Sequence, residues 1–384
     1  MMISRLELKN WRNFKSLDVR LGSRLLVVGA NATGKSNFLD AFRFLHDVAS
    51  PAGGGLRAAV AQRGGLGKVR CLFARTYNQG KLDLRVELRD GADEWTYLLQ
   101  IEDEGMGNHR PLVSREVVER NGLTLLDRPD DKDAKDAELR TQTALEQVSA
   151  NVDFRVIADY LAAIRYTHLV PQMIRESDRV MPKTDDPFGS DFIARMNSKR
   201  INERTRRAWL GRVQAALKAA VPQFDSLEIE TDDRGRPHLK AGYRTFRPIL
   251  TSQDERDLSD GTLRLIGLLW SLVELPAGST LLLEEPELSL NEHVVRVLPS
   301  VLAAAQRGDQ SSQVIYTTHS GEILRDEGLQ PDEVLLLQAG DDGTFGALLS
   351  DTARDVDELT LGLTIPEVIS DRMLPPAPRQ LALF

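Results

Sequence analysis

The chain predicts an α/β protein: a mixed sheet flanked by helices, an antiparallel β-meander beside it, and a mainly helical insertion. Three observations carry this. An apolar run, Leu25-Leu26-Val27-Val28, meets a Gly-rich turn and then a helical pattern. A second apolar run, Thr280-Leu281-Leu282-Leu283, ends in the carboxylates Glu284 and Glu285. Between them, alternating runs separated by turn residues mark a meander.

The first twenty residues alternate, with Ile3, Leu6 and Leu8, then Phe14, Leu17 and Val19. This predicts two short antiparallel strands around Asn10-Trp11-Arg12-Asn13. After the run at 25–28, residues 37–48 read as a helix with Phe38, Leu39, Phe42 and Leu45 on one side. Residues 51–67 hold Gly53-Gly54-Gly55 and Gly64-Gly65 and read as a loop-rich crossover. Strands are expected at 69–77, 81–89, 94–102 and 113–120. Residues 127–138, rich in Asp and Lys, read as a mobile surface loop. Helix is expected over 138–163 and strand over 164–170.

Residues 195–218 carry eight basic side chains and one acidic, Glu203, with Ile201, Thr205, Trp209, Val213 and Leu217 at helical spacing. This predicts an amphipathic helix with a basic outer face. Residues 227–231 and 238–243 read as a hairpin around Asp232-Asp233-Arg234-Gly235. After residue 250 helix and strand alternate, as in an α/β core. The division expected is an N-terminal part of the head over 1–125, the insertion over 126–224, and a C-terminal part over 225–384.

With 384 residues, 41% hydrophobic and 28% charged, the chain reads as soluble and globular. A net charge of −8 argues against coating nucleic acid everywhere, yet leaves room for a local basic patch. A single cysteine, Cys71, excludes an intramolecular disulfide and fits a reducing compartment. No run approaches 18 apolar residues, so a cytoplasmic protein without a membrane partner is expected.

Gly29-Ala30-Asn31-Ala32-Thr33-Gly34-Lys35-Ser36 has the G-x-x-x-x-G-K-[ST] spacing of a phosphate-binding loop, the Walker A motif. Strand, turn and helix are the context it requires. Backbone N–H groups and the helix N-terminus would face the β- and γ-phosphates. Lys35 would reach their oxygens and the Ser36 hydroxyl would meet Mg²⁺. Glycine is needed at 29 and 34 because a side chain would block the backbone's approach. Glu284 and Glu285 end a strand as a Walker B pair does, the first for the metal side and the second for the hydrolytic water. Ser259, in Leu258-Ser259-Asp260-Gly261-Thr262, reads as a helix cap, and with the Gly261 amide it also makes a γ-phosphate site. His319 follows an apolar run at 314–316, at a strand's carboxyl end where α/β sheets place ligands.

In this order the chain resembles the ABC-type ATPase heads of the RecF, SMC and OLD families. The resemblance rests on residues 29–36, on the signature-like 258–262, on 283–287, on Ser289-Leu290-Asn291 as D-loop and on Thr318-His319-Ser320 as switch. Leu8-Lys9-Asn10-Trp11-Arg12-Asn13-Phe14 also looks like the opening of such heads. It implies two heads closing around two ATP molecules with Mg²⁺. Lys35, Ser36, Glu284, Glu285 and His319 of one head, with Gly29, Asn31 and Gly34, would face Ser259 and Gly261 of the other. Gln62 is offered as a Q-loop glutamine and Arg12 as a phosphate contact. Two departures stand out: Ser-Asp-Gly-Thr replaces Ser-Gly-Gly-Gln, and Glu284 takes the place of the usual Asp. Both suit the OLD and RecF-like branch.

A transporter subunit, a long coiled-coil SMC protein, a Toprim-bearing OLD nuclease and an HNH nuclease are all disfavoured. What remains is a stand-alone OLD-like ATPase, read as the sensor or regulator half of an antiphage defence system with a separately encoded effector, such as a Toprim-type nuclease. The alternatives are a RecF-like repair ATPase that binds DNA ends or junctions, and a non-hydrolysing ATP-gated clamp. Lys199, Arg200, Arg204 and Arg207 are the DNA contacts expected, against a solvated face or an intersubunit surface. The Pro-rich 374–378 and apolar 381–384 read as a tail docking on its own head or on a partner.

Overall fold

The computed structural model describes residues 1–50, 53–73, 81–105, 109–177, 186–246, 249–306 and 312–373. The tail at 374–384 and the end of the strand expected at 69–77 lie outside the described residues.

The central sheet is a stack of short apolar strands. β3 (Arg24–Val28), β12 (Thr280–Glu284) and β13 (Gln313–Thr317) are buried almost throughout, as strands covered on both faces must be. With β8 (Arg165–Thr167), β14 (Val334–Gly340) and β15 (Gly343–Leu348) they form a sheet in the order β15-β14-β3-β13-β12-β8. All pairings are parallel except the β14–β15 hairpin. The carboxyl ends of β3, β13, β12 and β8 therefore share one edge, where residues 29–36, Glu284, Glu285 and His319 sit.

The second sheet is the expected meander, ordered β2-β1-β4-β5-β6-β7. It comprises β1 (Met2–Trp11), β2 (Phe14–Arg20), β4 (Leu82–Asp90), β5 (Asp93–Asp103), β6 (Pro111–Arg120) and β7 (Leu123–Arg128). Alternate residues of β4 and β5, such as Leu84, Val86, Tyr97 and Leu99, are fully buried. They pack with Phe38, Phe42 and Leu45 of the helix Lys35–Ala49 in one core. A third sheet, β11-β10-β9, joins β9 (Phe224–Thr231), β10 (Pro237–Tyr243) and β11 (Thr251–Asp254). It packs beside the helices Glu203–Ala220 and Asp260–Val273 around Trp270, Leu239 and Leu217.

Several expectations are corrected. The crossover at 51–67 is helical, over Leu56–Gln62 and Leu66–Val69, because its glycines punctuate helices. Gly55 and Gly65 precede them with positive φ, and Leu56, Ala59 and Val60 are buried. Val69 ends the second of these helices, and 70–73 form no strand: Arg70 bridges Trp11, and the Cys71 and Leu72 amides donate to Asn10 O and Arg12 O. The helix expected over 138–163 is α-helical only at Arg155–Ala162. Upstream, side chains capture the backbone: Glu146 accepts from the Thr143 and Leu56 amides, and Asn151 donates to Leu145 O.

The acidic stretch at 127–138 is pinned rather than free. It begins in β7, then forms a helix, Asp131–Lys135, capped by Asp130. Arg128 and Asp133 pair in the interior. The basic segment splits into Phe192–Met196 and Glu203–Ala220, the latter capped by Asn202.

Candidate active site

Residues 29–36 turn from β3 into the helix Lys35–Ala49. Gly29 and Gly34 have positive φ of 153° and 94°. A Cβ on Gly29 would stand 2.4 Å from Leu337 O, and one on Gly34 would stand 2.1 Å from the Asn13 amide nitrogen. These contacts, more than solvent-side approach alone, demand glycine. Asn13 braces the loop from the β1–β2 turn: its Nδ2 donates to Thr33 O (3.0 Å) and Thr344 Oγ1 (2.6 Å), and its Oδ1 accepts from Asn37 (3.0 Å). Asn31 is exposed at the turn.

The Lys35 ammonium lies inside the loop and donates to Gly29 O (2.8 Å) and Ala30 O (3.0 Å). Burial lowers it to about 8, against the opposing pull of Glu285, Glu287 and Glu284. A buried ammonium whose hydrogen bonds among the described residues go to two carbonyls, beside a helix N-terminus, suits a phosphate group.

Ser36 Oγ donates to Glu284 Oε1, across from the end of β3 to the end of β12. Tyr166 O–H donates to Glu284 Oε2, and His168 Nδ1–H donates to Glu284 O at 3.2 Å. Burial, then the charge of Glu284, raises the Tyr166 phenol, so it stays a donor. The sequence does not single out Tyr166 or His168; their signal is the polar run 165–168 inside the strand expected at 164–170. One hydroxyl and one carboxylate are hard oxygen donors of the kind Mg²⁺ takes. Among the described residues no group of three or more His, Cys, Asp or Glu forms a metal cage. Mg²⁺ beside phosphates does not need one.

Glu285 follows with φ of 45°, a left-handed conformation costly for a side-chain-bearing residue. Its amide donates to Thr317 Oγ1 (3.2 Å). Its carboxylate lies 2.6 Å from His319 Nε2. Glu287 anchors the segment that carries His319: it accepts from Thr318 Oγ1 (2.5 Å) and the His319 amide (3.1 Å). Burial raises its carboxyl despite these donors.

Ser259 caps the helix Asp260–Val273 through the Thr262 amide (3.2 Å). Arg175 holds this start from below, donating to Leu258 O and pairing with Asp260, both at 2.6 Å. Gly261 is packed on the segment 289–291, where a Cβ would stand 2.4 Å from Ser289 O.

Ser36, Glu284, Glu285 and His319 are thus brought together with Lys35. Ser259 and Gly261 stand apart: among the described residues no hydrogen bond joins them to residues 29–36. Gln62 is exposed at the end of its helix. Its neighbour Arg63 instead pairs with Asp40 and Asp47. Arg12 has φ of 53° and spends its guanidinium on Asp40 (2.7 Å) and Lys68 O (2.9 Å). On the basic segment, Lys199, Arg200, Arg204 and Arg207 are exposed, whereas Arg206 turns inward to Ser198 O and Ile201 O.

A parallel sheet that gathers residues 29–36, the paired acids at the end of β12 and His319 on one edge, with the helix start at Ser259 outside them, has the fold of an ABC-type ATPase head. Residues 25–325 match the AAA_21 family, described as an AAA domain, putative AbiEii toxin, Type IV TA system, and the chain belongs to that family. The chain is similar to a crystal structure of the SmcHead bound to the C-winged helix domain of ScpA, with 14% identity and a TM-score of 0.52. That match covers 91% of this chain and 99% of the other. It is also similar to the Smc head domain with an extended coiled coil bound to the C-terminal domain of ScpA derived from Pyrococcus furiosus. There identity is 12% and the TM-score 0.50, over 94% and 99% of the two chains. These likenesses show the fold. No curated protein matches the chain. Among the described residues no helix is long and apolar enough to cross a membrane.

Proposed function

We propose that the chain binds and hydrolyses ATP with Mg²⁺, closes as a dimer around two ATP molecules, and controls a separately encoded effector in antiphage defence. The observation that carries the ATPase reading is the convergence of Lys35, Ser36, Glu284, Glu285 and His319 on one sheet edge. In this reading Lys35 and the loop amides hold the β- and γ-phosphates. Ser36 and Glu284 hold Mg²⁺, which neutralises phosphate charge when bound. Glu285 takes a proton from the attacking water as the bond from the γ-phosphorus to the ADP oxygen breaks. His319 orients Glu285 and the phosphate.

The dimer reading is supported by the separation of the signature from the loop. Ser259 is exposed at a capped helix start, so a second head can present its hydroxyl and the Gly261 amide to the γ-phosphate. The similar Smc heads are bound to domains of ScpA, which supports a protein partner in trans for this head. The family's description as a putative toxin of a type IV toxin–antitoxin system supports a defence setting; a Toprim-type nuclease is one effector class within this reading. The exposed Lys199, Arg200, Arg204 and Arg207 favour a second reading, a RecF-like head that binds DNA ends or junctions. A non-hydrolysing clamp is the third, and the geometry of Glu285 beside His319 weighs against it.

The test is the mass of the purified protein with Mg-ATP, wild type against Glu285→Gln. The expected result is a nucleotide-dependent dimer that the variant retains because hydrolysis is blocked. A mass indifferent to nucleotide overturns the sandwich. Wild-type turnover by the variant overturns the assignment of Glu285.

A further inference from the structure

The carboxylate of Glu284 is gripped from two sides. Ser36 of the helix Lys35–Ala49 donates to Oε1, and Tyr166 of β8 donates to Oε2. The second grip follows from register. Parallel pairing sets Tyr166 level with Leu282 and Thr167 level with Leu283. Leu282 and Glu284 are two residues apart and share a face, so Tyr166 stands on that face as well. Two residues of strand span about 6.6 Å, a gap that a phenol ring with its hydroxyl can cross.

The ring itself is fixed. The Arg43 guanidinium lies 4.0 Å over its centroid. Arg43 stands two turns along the helix that begins with Lys35 and Ser36, so one helix supplies both the partner of Oε1 and the clamp on the ring that holds Oε2. A free glutamate side chain samples several rotamers, and holding it in one costs entropy. Here that selection is made by neighbours before any ligand arrives.

We propose that Tyr166 is a positioning residue for Glu284: by holding Oε2 it leaves Oε1 beside Ser36 at the metal side of the site. The proposal rests on the reading of Glu284 as the metal-side carboxylate. Tyr166 touches neither nucleotide nor metal in it and acts through Glu284 alone.

The experiment measures binding of a fluorescent ATP analogue to the full chain against Mg²⁺ concentration. It compares wild type, Tyr166→Phe, Glu284→Asp, the double variant and Glu284→Ala, with thermal melting of each. Tyr166→Phe is expected to raise the Mg²⁺ needed for half-maximal binding about 10-fold, the scale for partners that orient metal ligands. Binding in excess chelator should not change. In the Glu284→Asp background the shorter side chain no longer reaches the phenol, so Tyr166→Phe should add nothing. If wild type ignores Mg²⁺, or Glu284→Ala responds to it as wild type does, the metal-side reading fails and the proposal falls with it. If those controls behave and Tyr166→Phe follows the wild-type Mg²⁺ curve, whatever its melting temperature, only the clamp is overturned. Equal losses in the Glu and Asp backgrounds overturn it too.

Discussion

The imidazole Nε2 of His319 stands 2.6 Å from Glu285 Oε1, although the two residues sit at the ends of different strands. β12 and β13 pair in parallel with Glu284 level with Thr317. Glu285 and His319 are each just beyond that pair. Glu287 then fixes the backbone of the switch through Thr318 and the His319 amide. The contact is therefore built by register and held by a buried carboxylate.

If Glu285 is the base, as proposed, Glu285→Gln keeps the shape and removes it. Turnover is expected to fall about 10²–10⁴-fold, the usual contribution of a positioned general base. Nucleotide affinity should be retained. If His319 acts through the same water and phosphate, His319→Ala on top of Glu285→Gln should cost little more, because residues that act as a unit are not additive. Steady-state rates and nucleotide titrations of the two single variants and the double check this. Fully additive losses would separate the two roles.

Lys35 gives a proton-linked prediction. Its ammonium falls from 10.5 to about 8 because it is buried. Between those values the unfolded chain holds more protons than the folded one, so this residue makes stability rise with pH through that window. Triphosphate charge opposes the burial and returns the proton. Nucleotide binding near pH 8 should then take up as much as about half a proton, and much less a unit or two below. Calorimetry in buffers of different ionisation enthalpy reads this directly. Heats that do not depend on buffer at pH 8 would refute a perturbed Lys35.

Residues 29–36, the paired acids 284 and 285 and the segment 318–320 stand out in the sequence because each is a local string, and the fold brings all three to one sheet edge. The parallel strands under them were legible because β3, β12 and β13 are buried on both faces and so uniformly apolar. What escaped was made by distant partners. Asn13 braces residues 29–36 from another sheet, and Tyr166 reaches Glu284 from a strand of three residues. Gln62 looked apt as a polar residue after the loop, yet the side chain turned inward there is Arg63. The acidic stretch at 127–138 looked solvated because composition does not reveal that Arg128 and Glu116 meet inside.

That interior contact is a measurable part of the fold. Glu116 is fully buried on β6 and accepts from the amides of Ala144 (2.7 Å) and Leu145 (3.1 Å) and from Tyr97 O–H (3.0 Å). Arg128 approaches it at 3.4 Å and also donates to Gln142 O and Leu139 O. Glu116→Ala strands two amides and the Tyr97 hydroxyl and takes one of two carboxylates from Arg128, which keeps Asp133, and should cost about 3–5 kcal/mol. Glu116→Gln keeps an acceptor and should cost less. Chemical denaturation of both variants checks the order. A loss near zero for Glu116→Ala would show that the segment is not anchored there.

The basic face divides by geometry, and that division makes the DNA reading testable. Lys199, Arg200, Arg204 and Arg207 face solvent, and Arg207 shares Glu203 at 3.3 Å in an exposed pair of little energetic weight. Arg206, on the same helix, donates to Ser198 O and Ile201 O and belongs to the fold. If the face contacts duplex phosphates, replacing Arg200, Arg204 and Arg207 with Ala should flatten the plot of log affinity against log salt by about 0.9 for each lost contact. Arg206→Ala should lower thermal stability and leave the slope alone. Binding to duplexes of unrelated sequence should fall equally, since phosphate contacts carry no base information. An unchanged slope in the triple variant assigns these arginines to solvent or to another subunit, and the DNA reading then loses the observation that favours it.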